Sequence, residues 1–176
     1  MAQHLLVGDL APLAVAIALR PYVLTPAVTL PAWAANLYLW HVPVIYETAL
    51  HHAAVHALQH VALFVAGLLL WAPVFELTRT PRWFSDAARL VYLLLTMFAG
   101  LVLGALLLWW PHTIYSTYAH AGGFAGLSAH EDQRAGGGLM LLEGSLVIFA
   151  VAAWVVWRIF AGDDVTRAER EASQSP

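Results

Sequence analysis

The stretch Arg89–Trp110, RLVYLLLTMFAGLVLGALLLWW, decides the fold. After Arg89 it holds neither a charge nor a proline, and it has the ~20 residues an α-helix needs to cross ~30 Å of hydrocarbon. Backbone in lipid must satisfy its own N–H and C=O groups, so this segment reads as a transmembrane helix. Outward from it, further apolar runs lie at about 3–19, 31–50, 52–71 and 135–160. The expectation is an all-α, polytopic membrane bundle of five transmembrane helices over residues 1–162, followed by a polar cytoplasmic tail, 163–176. Composition agrees: with 61% hydrophobic and 11% charged residues, the chain lacks the polar shell of a soluble domain.

The first run, from His4 to the alanines before Arg20, has no preceding lysine or arginine, so it reads as a retained span and not a signal peptide. Pro43 is expected to kink the second span. His51-His52 forms a tight junction to the third, and the polar stretch Pro111 to Arg134 separates the fourth from the fifth. Gly136-Gly137-Gly138 lacks the strand and Lys-Ser/Thr context of a phosphate loop and is read as a site of close helix packing. Trp40, Trp71, Trp109, Trp110, Tyr115 and Tyr118 are assigned to interfacial anchoring.

Cysteine is absent, which excludes disulfides, thiolate metal centres and redox thiols; a metal would have to use His, Met, Asp or Glu. The eight basic residues are all arginines and scattered, which argues against a nucleic-acid surface. Cytoplasmic loops carry the arginine excess. With the N-terminus outside, Arg20, Arg79, Arg82, Arg89, Arg158, Arg167 and Arg170 fall inside and Arg134 alone outside. That orientation sets all nine histidines at the outer face or in the outer half.

At ~1.5 Å rise per residue, His4 and His56 lie about one turn below the outer surface, and Asp9, His41 and His60 roughly 12–14 Å down. Ionisable groups at such depth point to function by default. His52, His56 and His60 share one face of the third helix, and a pair spaced i, i+4 can hold one transition metal; Gln59 points elsewhere. Hydrogen bonding to other helices or the interface is the competing reading, favoured for His51 and His52. His41, beside the Pro43 kink, is either a ligand or a satisfied structural histidine. Asp9 and Glu47 would orient imidazoles or balance a cation. Met140 is either a soft thioether ligand suited to Cu(I) or ordinary packing.

Together Leu37-Tyr38-Leu39-Trp40-His41-Val42-Pro43, Tyr46-Glu47, His56-Ala57-Leu58 and Trp71-Ala72-Pro73 resemble the multi-span cytochrome c oxidase assembly factors called CtaG. Pro111-His112, Tyr115-Ser116-Thr117-Tyr118 and Glu131-Asp132-Gln133, leading through Gly136-Gly137 to Met140, extend the resemblance over nearly the whole chain. It implies an integral membrane protein needed for active haem–copper oxidase, with a part in copper supply. The positions it points to are His41, His56, His112, Asp132, Gln133 and Met140, with His4 where a relative carries Met. It also implies spans and a histidine upstream of Met1, so the chain corresponds either to a shortened member or to one whose start was cut.

The expected function is therefore an assembly factor of the bacterial inner membrane, not an enzyme. It would bind copper in an outward-facing pocket through His4, His41, His56, His60, His112 and Met140, supported by Asp9, Glu47, Asp132 and Gln133. Its partners would be the bilayer, oxidase subunits or a copper chaperone, and a further copy of itself. Copper is preferred to zinc on the resemblance alone. The alternatives are a haem-binding cytochrome, a metal or proton transporter, and a purely structural scaffold.

Overall fold

In a computed structural model, residues 25–77, 79–115, 117 and 127–174 are described, with side chains through 162. Five helices follow in order: α1 Pro26–His41, α2 Pro43–His51, α3 Ala53–Val74, α4 Asp86–Trp109 and α5 Ala129–Gln174. No strand occurs among the described residues, and α3, α4 and the Ala129–Gly162 part of α5 are long and apolar enough to cross a membrane. The expected first span, with His4 and Asp9, lies outside the described residues, as do Tyr118 and His120.

The expected second span is two helices. Pro43 cannot donate to a preceding carbonyl, and it forces Val42 into extended backbone (φ −62°, ψ 126°), so α1 ends and α2 starts afresh. His52 alone, also extended, links α2 to α3. Three helix ends differ from expectation because caps, which hydropathy does not register, set them. Proline at the first helical position starts α1 at Pro26, inside the expected loop, with Pro31 accommodated in the helix. Ser85 accepts from the Ala88 N–H and begins α4 three residues before the expected Arg89. Ser128 and Glu131 form a reciprocal capping box that starts α5 within the stretch expected to be a loop. The polar tail continues as helix to Gln174.

α4 and α5 form the most extensive pairing, and glycines set their approach. A Cβ on Gly137 would meet the Gly104 carbonyl oxygen and the Leu108 nitrogen at 2.8 Å, closer than real contacts allow. The glycine run therefore packs closely, through Gly137; a Cβ on Gly138 would meet nothing. Hydrogen bonds tie the remaining helices: Tyr38 donates to the Ala99 carbonyl at 2.9 Å, and Tyr92 donates to the Leu70 carbonyl while accepting from Thr29. Leu70, Trp71, Val74, Leu93, Ile148 and Val155 form the core. Large apolar side chains such as Leu94, Phe98, Leu142, Leu146, Phe149 and Trp157 face outward, as a lipid solvent requires.

At the opposite end from the His52 junction, Glu76 and Asp86 each pair with both Arg89 and Arg158. Glu76 takes the left-handed conformation (φ 54°), and the Leu77 N–H reaches back to the Ala72 carbonyl at 3.0 Å, a Schellman closure with glutamate in the usual glycine place. The two ion pairs it makes offset that backbone cost. Arg89, read from the sequence as a topological charge, is buried (5% exposed).

Candidate functional site

The break before Pro43 places the first functional group. The His41 carbonyl, past the end of the α1 ladder, accepts from the Tyr115 hydroxyl at 3.2 Å. His41 Nδ1 lies 2.7 Å from the Leu37 carbonyl. A carbonyl only accepts, so Nδ1 carries the hydrogen, and in that neutral tautomer Nε2 keeps the lone pair. His41 borders a cavity of about 130 Å³ among α1, α3, α4 and α5, together with Gln59, Trp71, Met97, Met140 and Glu143. His41 and Met140, chosen from the sequence as ligands, thus share one chamber.

His56 and His60 lie on a different flank of α3. Their Nε2 atoms are 3.0 Å apart and their rings meet edge to face. Between carbonyl-free imidazoles at that distance one ring donates and the other accepts. The residue that α3 turns into the bundle is Gln59, 5% exposed, which the sequence reading set aside as pointing elsewhere. Helix rotation, which a histidine stripe alone does not fix, separates the two groups. Among the described residues no three His, Asp or Glu side chains converge to hold a metal ion by themselves.

The remaining expected residues build the rim. Glu47 accepts from the Thr117 N–H at 3.1 Å, and His51 meets the Thr117 hydroxyl at 3.3 Å, docking the segment after α4 onto α2. Tyr46 and Tyr115 stack with centroids 4.3 Å apart. Gln133 accepts from the Ile114 N–H at 2.7 Å and donates to the Leu107 and His112 carbonyls, so its amide is committed to backbone. His112 is exposed beside it. Asp132 borders a second cavity of about 200 Å³ with Tyr46, Tyr115 and Leu139.

The aromatic assignment divides. Trp109 and Trp110 are exposed, as anchors are, whereas Trp40 (6%), Trp71 (2%) and Tyr115 (4%) are buried in the bundle. Trp40 is held by Asn36, but the Trp71 indole N–H has no partner among the described residues. Glu143 and Met97 are additions, and Gln59 and Trp71, read from the sequence as pointing elsewhere and as an anchor, join them at the cavity. Gln59 was detectable as a polar residue in an apolar span, but not its direction.

These features define a class: a helical membrane protein that gathers imidazole, thioether and carboxylate groups within its bundle. The chain belongs to the family of cytochrome c oxidase caa3 assembly factors, Caa3_CtaG, which it matches over residues 20–161. That match covers α1 to α4 entire and α5 through residue 161. No curated protein and no solved structure matches it.

Proposed function

We propose that this assembly factor serves oxidase maturation by holding copper on the extracytoplasmic side of the bacterial inner membrane and releasing it to an oxidase subunit or copper chaperone, with no bond-making catalysis. The observation that carries the proposal is the His56–His60 pair, two Nε2 atoms 3.0 Å apart on successive turns. An ion about 2.0–2.1 Å from each nitrogen would bind both rings at an angle of roughly 90–100°, replacing the proton they share. The family's part in cytochrome c oxidase assembly favours copper over zinc, and the arginine distribution favours the outward location. His4 and Asp9 are the further donors expected from the sequence; His41 and Met140 offer soft ligands on the other side of α3.

The test is metal analysis of the full-length protein purified after Cu(I) loading. Stoichiometric copper is expected in the wild type, with loss in His56→Ala and His60→Ala and a matching fall in oxidase copper in cells. Copper retained by both variants, or oxidase copper unchanged, overturns the assignment and leaves a scaffold that organises oxidase subunits.

A further inference from the structure

The interior cavity carries more polar groups than its own residues can pair. The Trp71 indole N–H, on a side chain 2% exposed, has no hydrogen-bond partner among the described residues, and Gln59, 5% exposed, borders the same space. Half-buried Glu143 lines it too, and His41 brings the Nε2 position left by its bond to Leu37. Buried polar groups in native proteins are paired, so an orphaned indole N–H with three further polar side chains around a single chamber calls for an occupant.

Water fits poorly. A volume of about 130 Å³ would hold roughly four molecules at ~30 Å³ each, and each needs two to four polar partners. Apolar surface dominates the rest of the wall, as at Trp33, Leu70 and Met97; of its other polar side chains, Asn36 is already bonded to Trp40 and Thr96 to the Tyr92 carbonyl, and Tyr46 and Ser145 complete the lining. A metal ion would leave the Trp71 N–H, which cannot ligate, unpaired. One aromatic ring matches the size, since an engineered cavity of ~150 Å³ holds benzene. A hydroxyl on that ring accepts from the orphaned Trp71 N–H and from Gln59 and donates its one hydrogen to His41 Nε2 or Glu143. We infer that this cavity is a binding site for a membrane-soluble phenolic ring, separate from the His56–His60 pair.

The experiment uses the full-length, metal-free protein in detergent, titrated calorimetrically with phenol, benzene and 4-decylphenol. Saturable one-to-one phenol binding is expected, at least tenfold tighter than benzene. Loss of one hydrogen bond in Gln59→Leu or Trp71→Phe weakens phenol about tenfold. Gly100 borders the cavity, and a Cβ there meets nothing within 4 Å, so Gly100→Leu fills the space without a backbone clash and abolishes binding. His56→Ala leaves phenol affinity within about twofold and, failing to bind copper, separates this site from the metal proposal. 4-Decylphenol binding tighter than phenol identifies a lipid-borne ring, and equal affinity a free one; both sustain the assignment. Benzene binding as well as phenol, indifference to Gln59→Leu and Gly100→Leu, or no saturable binding overturns it.

Discussion

Gln133 shows what a single amide does in this fold. Its three hydrogen bonds satisfy backbone groups at the end of α4 and in the turn that follows. Gln133→Leu keeps the volume and strands those groups, at a cost of about 1–3 kcal/mol. Thermal unfolding in detergent should show a lowered midpoint, and His112, whose carbonyl loses its donor, should become more accessible to modification. Arg89 acts similarly at the other end. Arg89→Met leaves Glu76 and Asp86 facing only Arg158, and removing one member of a buried charge network costs about 3–5 kcal/mol. Glu76 is half-exposed, so solvent screening places the expected loss at the lower end, read in the same unfolding experiment. Little of either role was legible in the sequence. Gln133 entered only through the family resemblance and Arg89 only through topology; Asp86 is a local i,i+3 partner of Arg89, but Glu76 and the Gln133 acceptors, 13 to 26 positions away, leave no local pattern.

Among the elements, spans were legible and their ends were not. An apolar run reports where lipid is, whereas Ser85, Ser128 and Glu131 fix the ends of α4 and α5 by bonding backbone N–H groups. The Ser128–Glu131 spacing is a capping signature that hydropathy does not register. Pairing follows a different rule. Gly137→Ala places a Cβ against backbone at 2.8 Å and forces α4 and α5 apart, with an expected destabilisation of about 1–3 kcal/mol. Gly138→Ala enters open space and should leave the unfolding midpoint within error. A midpoint shift of the same size in both would remove the distinction between the two glycines.

At the scale of the molecule, the polar chemistry divides along α3. His56 and His60 occupy one flank, and His41, Met140 and Glu143 border the chamber on the other. The sequence placed His41, His56 and His60 in the outer half but could not rotate the helix, so one pocket was expected where two groups occur. Orientation is open to direct measurement, since the chain has no native cysteine. In intact cells, Thr113→Cys should react with a membrane-impermeant maleimide, while Arg82→Cys, at the opposite end, reacts only after lysis. Reversed labelling would place the histidine-rich end in the cytoplasm. Five of the seven arginines expected inside lie outside the clasp formed by Arg89 and Arg158, so neutralising that clasp should not invert the protein.

The single-residue junction at His52 also constrains biogenesis. α2 has nine residues, too few to span the bilayer, and it continues α1 across the break at Val42. Only His52 stands between its end and the start of α3, so no length of chain exists to be translocated as a loop while one helix waits for the other. If α1 and α2 cross the bilayer together as the expected second span, the chain from α1 through α3 leaves the insertion machinery as one hairpin, and the histidine pair on α3 reaches its depth in the lipid only when that hairpin moves as a unit.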